Sequence, residues 1–165
     1  MKEKAKISLK DLSLSSLKER LAKAHSHQFF FEAVYLISVL IENRVDKLIS
    51  AADITLPAPK GSRTKSRTTA NSLLSLSDKL TVIKEIVETD NSENDLLNQY
   101  IDPGLINDVL KWLEERNNML AALTIKCPEP ADVAELVFSG EMAVTNLSYC
   151  VKQYRKNLKT EKKDN

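Results

Sequence analysis

Residues 27–52 read HQFFFEAVYLISVLIENRVDKLISAA, and this segment decides the fold of the chain. Its apolar residues recur at steps of three and four, which is the period of an α-helix. The repeating positions are Phe30, Val34, Ile37, Ile41, Val45 and Leu48. Further apolar residues between 31 and 40 widen the stripe, and a stripe this wide must be covered on more than one side. We therefore predict that the segment is the central helix of a bundle.

Other segments with helical periodicity flank this one. They are predicted over 8–24, over 70–89, from 103 to a stop at 127–130, and over 131–158. The pair Asp102-Pro103 is a strong start signal, because aspartate caps a helix and proline suits its first position. The prolines at 128 and 130 end the helix that begins there. Since no strand pattern and no repeat occurs in the sequence, the predicted fold class is all-α, an up-and-down bundle of about five helices.

The composition fits one domain. The chain has 165 residues, 42% of them hydrophobic and 28% charged, with only three glycines and five prolines. So few glycines argue against a β-sandwich, a barrel or a glycine-rich phosphate-binding fold. We predict one helical domain over 1–158, with a loop at 53–69 rich in Pro, Gly, Ser and Thr, and a disordered polar tail at 159–165.

The sequence shows no sign of membrane contact. Its first residues are charged rather than apolar, and the longest apolar stretch, 29–41, is interrupted by Glu32 and Ser38. That stretch is too short to span a bilayer. We therefore expect a cytoplasmic protein that does not contact membranes.

The residues offer little for metal, cofactor or nucleophilic chemistry. His25 and His27 are two positions apart, so a helix would point them in different directions, and no cysteine is near them in sequence. No glycine-rich phosphate loop is present, and no serine is linked to a base. We expect no metal and no cofactor, and we interpret Cys127 and Cys150 as small buried hydrophobic residues in a reducing compartment.

Charge is distributed unevenly along the chain, although the formal net charge is only +1. The segment 78–115 has a net charge of −7, whereas the segment 151–165 has a net charge of +4. Such polarity can steer a charged partner, but solvated helix faces also show it.

Two basic clusters are the candidate nucleic-acid-binding residues. In the loop they are Lys60, Arg63, Lys65 and Arg67, and on the last helix they are Lys152, Arg155 and Lys156. Cations in such clusters neutralise backbone phosphates. Tyr149 would add a stacking surface for a base if it were exposed. The interpretation favoured by the sequence is that Tyr149 packs in the core beside a solvated basic end.

The segment WLEERNNMLAAL, residues 112–123, resembles the motif region of the HEPN superfamily. In that motif four to six residues separate an arginine, usually followed by a small polar residue, from a histidine. Glu115-Arg116-Asn117 is similar to its first half. The helix over 30–49, with Ser38 to Glu42 inside it, resembles the second family helix, and 75–80 resembles the start of the next one.

The resemblance implies an all-α domain that acts in bacterial or phage defence or in a toxin–antitoxin pair. Its partner would be RNA, a nucleotide or a cognate protein. In active members the arginine and the histidine, paired across a dimer, cleave RNA without a metal. This chain has Ala121, Ala122 and Leu123 where the histidine should stand, and these residues cannot transfer a proton. The leading interpretation is therefore an inactive binding domain.

Arg116 is an additional candidate contact for nucleic acid in this interpretation. No catalytic residue is assigned, and Arg116 and Asn117 are candidates only if the protein is an active metal-independent ribonuclease. That activity would require His25 or His27 to reach the arginine from another helix. The plain reading of Arg116 is a surface arginine paired with a carboxylate.

The alternative function is a helical protein-interaction or oligomerisation module without a role in nucleic-acid binding. Phe29, Phe30 and Phe31 are consecutive and cannot share one helix face, so at least one of them is expected to be exposed or to meet a partner. We also predict a homodimer with twofold symmetry, because the apolar stripe of 27–52 is wider than two neighbouring helices need.

Overall fold

A computed structural model of the protein describes residues 13–57, 74–89 and 95–164. Within these ranges the chain forms α-helices and no strand, which confirms the predicted all-α fold. The helices are α1 (Leu14–Ser26), α2 (Phe30–Ala51), α3 (Leu76–Glu88), α4 (Asp95–Tyr100), α5 (Pro103–Ala122) and α6 (Pro130–Asp164). In the same ranges, none of the helices is both long and apolar enough to cross a membrane.

Helix α2 lies at the centre of the bundle, as its sequence predicts. It packs most extensively against α6, then against α1 and α3. Its buried residues are Ala33, Val34, Leu36, Ile37, Leu40, Ile41, Val45, Leu48 and Ile49. Helices of the same chain therefore cover most of the wide stripe. Phe31 and Tyr35 remain exposed on α2, and a homodimer that covers them remains a prediction.

Local sequence signals set where α3 and α5 begin. The Ser75 hydroxyl accepts a hydrogen bond from the Asp78 backbone, and the Asp78 carboxylate accepts one from the Ser75 backbone. This reciprocal cap begins α3 at Leu76. The sequence predicts a start at residue 70, and 70–73 lie outside the described residues. For α5 the prediction of an Asp102-Pro103 start is confirmed, because the Asp102 carboxylate accepts a hydrogen bond from Gly104.

Two helical stretches differ from the prediction. Helix α4 was not expected, because six residues are too few for a helix that is stable alone. It forms by packing on α6, with Leu97 buried. Helix α6 continues to Asp164, whereas the sequence predicts a disordered tail from Lys159. Lysine and glutamate favour helix in this stretch, and the Thr160 hydroxyl donates to the Lys156 carbonyl.

The two cysteines differ in exposure, and both are free. Cys150 is half-buried on α6, and its burial raises the pKa of its thiol. Cys127 is exposed in the connection between α5 and α6, so its interpretation as a buried residue is wrong. The reason is that it lies in the irregular connection before Pro128, where neighbouring residues are exposed as well.

Helices α5 and α6 approach each other closely at Gly140. The indole N–H of Trp112 donates a hydrogen bond to the Leu136 carbonyl at 2.8 Å, and the ring then lies over Gly140 one turn later. A Cβ atom at position 140 would stand 2.6 Å from Trp112 Nε1 and 2.9 Å from Ile37 Cγ2. The glycine is therefore what allows α6 to pack on both α5 and α2.

Candidate functional site

Six cations meet in one cleft between α1, α2 and α6, which we call the basic cleft. They are Lys18, Arg44, Lys152, Arg155, Lys156 and Lys159. Ser148 and Tyr149 also line the cleft, which has a volume of about 660 Å³. No carboxylate is among its lining residues in the described part of the chain. The basic cleft thus presents one sign of charge to any ligand that enters it.

The helical period of α6 brings its part of the cluster together. Lys152, Arg155, Lys156 and Lys159 are spaced by three, one and three residues, so they share one side of the helix. The structure therefore unites the three predicted binding residues of this helix, Lys152, Arg155 and Lys156. Across the cleft, Arg44 Nε donates a hydrogen bond to Ser148 Oγ at 2.9 Å, which holds the guanidinium at the wall.

The cations of the basic cleft are close enough to repel one another. Burial lowers the pKa of the Arg44 guanidinium, and the positive charge of Arg155 lowers it further. Burial lowers the pKa of Lys47 as well, with added repulsion from Arg44 and Arg155. None of the ion pairs between described residues includes Lys152, Arg155 or Arg44. A bound anion would relieve this repulsion.

Tyr149 is exposed, contrary to the favoured interpretation of the sequence. Its relative exposure is 64%, and it lines the basic cleft next to Lys152. The tyrosine that packs in the core is Tyr154. Helix α6 turns its buried side, which contains Leu147 and Val151, toward α2, and this rotation leaves Tyr149 on the outside. The cleft therefore combines cations with an accessible aromatic ring, as a stacking surface for bases requires.

Arg116 lies in a different cleft, between α2, α3 and α5, which we call the Arg116 cleft. Its volume is about 560 Å³. Its apolar lining residues are Phe31, Val34, Tyr35, Val39, Leu74, Leu76 and Leu120. Its polar lining residues are Ser38, Glu42, Ser75 and Arg116. Phe31, Tyr35 and Leu120 are exposed, so much of the apolar wall faces solvent.

Neighbouring side chains fix the Arg116 guanidinium. Nη1 donates to Ser38 Oγ at 2.9 Å, and the Ser38 hydroxyl donates to the Val34 carbonyl. Nε and Nη2 both donate to Asn117 Oδ1, at 3.2 and 2.8 Å. The guanidinium carbon also lies 5.9 Å from the centre of the Trp112 ring. The predicted candidate Asn117 therefore orients Arg116.

Arg116 forms no ion pair with any carboxylate among the described residues. The interpretation of Arg116 as a surface arginine paired with a carboxylate is therefore wrong, as far as the described residues are concerned. Burial lowers the pKa of Arg116, and the nearby charge of Glu42 partly offsets that effect. The cation is thus partly dehydrated and held toward an open cleft.

The two clefts occupy different sides of α2. On α2, Ser38 contacts Arg116, whereas Arg44 lines the basic cleft. Residues 38 and 44 are separated by about 9 Å along the axis of α2 and by about 120° around it. The structure therefore does not place Arg116 with Lys152, Arg155 and Lys156. The loop candidates Lys60, Arg63, Lys65 and Arg67 lie outside the described residues.

Neither histidine lines the Arg116 cleft. His25 Nδ1 lies 3.1 Å from Glu141 Oε1, and the ring of His27 stacks on Phe29. In the described part of the chain, no three histidine, cysteine or acidic side chains are grouped as metal ligands.

Sequence reasoning missed several residues of these sites. Lys18 and Arg44 complete the basic cleft, and Ser38 positions Arg116. One signal for two of them was present: Ser38 and Arg44 interrupt the apolar character of the central helix. Lys18 gave no signal, because its proximity to α6 depends on how α1 packs.

A comparison with protein-family models, curated proteins and solved structures finds no match to this chain.

Proposed function

We propose that this protein is a HEPN-like binding domain without catalytic activity, and that it holds single-stranded RNA in the basic cleft. The observation that carries the proposal is the convergence of six cations, with no carboxylate among the lining residues that the structure describes. Each cation that meets a phosphate releases a counterion, which favours a polyanion over a small ligand. The setting proposed from the family resemblance is bacterial or phage defence or a toxin–antitoxin pair.

Single-stranded RNA suits the basic cleft better than a duplex does. The exposed ring of Tyr149 stands beside Lys152 on α6, so an unpaired base can stack while its phosphate meets a cation. Bases of a duplex are already stacked on each other and do not offer a free face. The negative segment 78–115 opposes RNA on α3 and α5 and so restricts binding to the α6 side.

Replacing Lys152, Arg155 and Lys156 together by glutamine should weaken binding of a labelled oligouridylate by about tenfold or more. We expect micromolar or weaker binding by the wild type at physiological salt. For the wild type, the slope of log affinity against log salt should be about −3 to −4. For the variant the slope should be shallower by about 2, because three phosphate contacts disappear. Fluorescence anisotropy at several salt concentrations measures both quantities.

The matched control replaces three exposed lysines elsewhere, Lys23, Lys111 and Lys126, by glutamine, which changes the net charge equally. It should bind within about twofold of wild type. A further variant with the four loop cations changed to alanine tests whether Lys60, Arg63, Lys65 and Arg67 contribute. An equal loss of RNA affinity in the triple variant of Lys152, Arg155 and Lys156 and in the matched control would contradict a site in the basic cleft. If wild type does not bind even at low salt, the protein-interaction alternative is favoured.

The protein should not cleave RNA in the absence of metal. Cleavage at a 2′-hydroxyl needs a group that transfers a proton near neutral pH, and the Arg116 cleft contains no histidine. Incubation of end-labelled RNA with purified protein and a chelator should leave the RNA intact. Cutting that disappears in Arg116→Ala would establish the ribonuclease function instead.

The second candidate function is a protein-interaction module. Phe29 and Phe31 are exposed at the start of α2, while Phe30 packs against the core. Phe138 and Met142 are exposed four residues apart on α6. Exposed apolar residues of this size are typical of surfaces that meet another protein. A partner that binds there would leave the cations of the basic cleft free.

A further inference from the structure

We propose that the Arg116 cleft binds a small amphipathic monocarboxylate, a ligand with a single carboxylate on an apolar body. This site is separate from the basic cleft and does not depend on RNA binding. The proposal rests on a fixed cation, on the charge balance of the cleft and on its exposed apolar wall.

The fixed cation supplies the recognition of an anion. Ser38 and Asn117 hold three nitrogens of the Arg116 guanidinium, and each of the two terminal nitrogens retains a further N–H. A guanidinium that is already oriented loses little freedom when it binds a carboxylate. Because no described carboxylate forms an ion pair with Arg116, the position of the counter-ion is open to a ligand.

The charge balance of the cleft disfavours a ligand with more than one negative charge. Arg116 and Glu42 are the charged residues among its lining side chains. Arg116 and Glu42 together leave the cleft neutral, so one carboxylate bound at Arg116 adds a single negative charge, whereas a phosphate with two charges or a chain of phosphates adds more and is repelled more strongly by Glu42. The basic cleft has the opposite balance, with cations alone. The two clefts therefore suit different anions.

The apolar wall selects the body of the ligand. Phe31, Tyr35 and Leu120 are exposed around the cleft, and burying their surfaces against an apolar ligand is favourable. The volume of about 560 Å³ lies within the range of small-molecule sites. A small polar anion such as acetate would leave this wall in water and gain only the contact with Arg116.

Octanoate is the probe for this site, with anilinonaphthalene sulfonate as the fluorescent reporter, since it too is a monoanion with an apolar body. Octanoate should displace the reporter, and the uncharged 1-octanol should be about tenfold weaker or worse, since it lacks the charge-assisted hydrogen bond. From butanoate to octanoate the affinity should rise about two- to fourfold per methylene. A chain-length dependence without a preference for the carboxylate would overturn the role of Arg116.

Two variants test whether octanoate binds in the Arg116 cleft. Arg116→Gln should weaken octanoate binding by about 10- to 100-fold, and Leu120→Glu should abolish it by adding a second negative charge to the wall. Leu120 is already exposed, so its variant tests the site even if Arg116→Gln is unstable. Arg20→Gln, an exposed arginine paired with Glu32, is the matched control and should bind as wild type does.

Three results would overturn the proposal. The first is that Arg116→Gln and Leu120→Glu both bind octanoate as tightly as the wild type does. The second is that Arg20→Gln loses as much octanoate affinity as the cleft variants lose. The third is that light scattering gives the mass of two chains while the protein binds no reporter. The last result would show that a second copy of the chain covers the cleft. None of these results would change the expected RNA binding, because RNA binding depends on Lys152, Arg155 and Lys156.

Discussion

Replacing Gly140 by alanine should lower the free energy of unfolding by about 3 kcal/mol. Alanine would gain about 1 kcal/mol in helix propensity. Its Cβ, however, would overlap the Trp112 ring at 2.6–2.7 Å and Ile37 at 2.9 Å. Overpacking costs about 1–3 kcal/mol or more, and a displaced indole would also lose the hydrogen bond that its buried N–H donates to the Leu136 carbonyl. Chemical denaturation should show this loss, and the melting temperature should fall by about 10 °C.

Gly104→Ala is the matched control for this prediction. The three atoms nearest to a Cβ at position 104 all belong to the Asp102 carboxyl group, the closest at 3.3 Å, and this exposed side chain can move by the few tenths of an ångström that are needed while it still caps α5. Its effect should be within about 1 kcal/mol of zero. If Gly140→Ala were as stable as wild type, α5 and α6 would not be packed as closely at Trp112 as the structure has them.

Replacing Asp46 by alanine should destabilise the protein by about 2–3 kcal/mol. Asp46 Oδ1 lies 2.8 Å from Lys79 Nζ, and the Lys79 side chain is only 3% exposed. Asp46 itself is about half exposed, but the Lys79 ammonium is buried, so removing Asp46 leaves a buried charge with weaker compensation. Glu42 is 3.6 Å from the same ammonium and limits the loss. Thermal and denaturant unfolding measure the change.

Lys79→Met should change stability by less than about 1 kcal/mol, because it removes the buried charge while it keeps the apolar stem. The double variant Asp46→Ala/Lys79→Met should then be more stable than Asp46→Ala alone. If the loss of stability in the double variant equalled the sum of the losses in the two single variants, Asp46 would stabilise α2 in a way that does not involve Lys79.

Repulsion within the basic cleft connects its stability with its proposed function. Burial and, to a smaller extent, neighbouring cations lower the pKa of Arg44, which lines the cleft, and of Lys47, which lies outside its lining, so the folded chain holds these charges at a cost. A polyanion that binds only the folded state would repay that cost and stabilise the protein. The Arg116 cleft carries one charge of each sign and lacks this repulsion.

The sequence was sufficient for the helices with strong periodicity or strong caps. The central helix, the start at Asp102-Pro103 and the all-α class were all predictable, because apolar period and capping are local properties. The same holds for the grouping of Lys152, Arg155 and Lys156, since residues three and four apart share a helix face. Helix α4 was not predictable, because its six residues depend on packing against α6.

Local patterns thus determined that the segments with strong periodicity or strong caps are helical, and which side of α6 is basic. Tertiary packing alone decided that Tyr149 is exposed, that Lys79 is buried and that Arg44 faces the cations of α6. It also placed Arg116 beside Ser38, 78 residues earlier in the chain, and away from the basic cleft. The physical reason is that period fixes the faces within one helix, whereas the rotation and neighbours of each helix depend on how all the apolar faces are buried together.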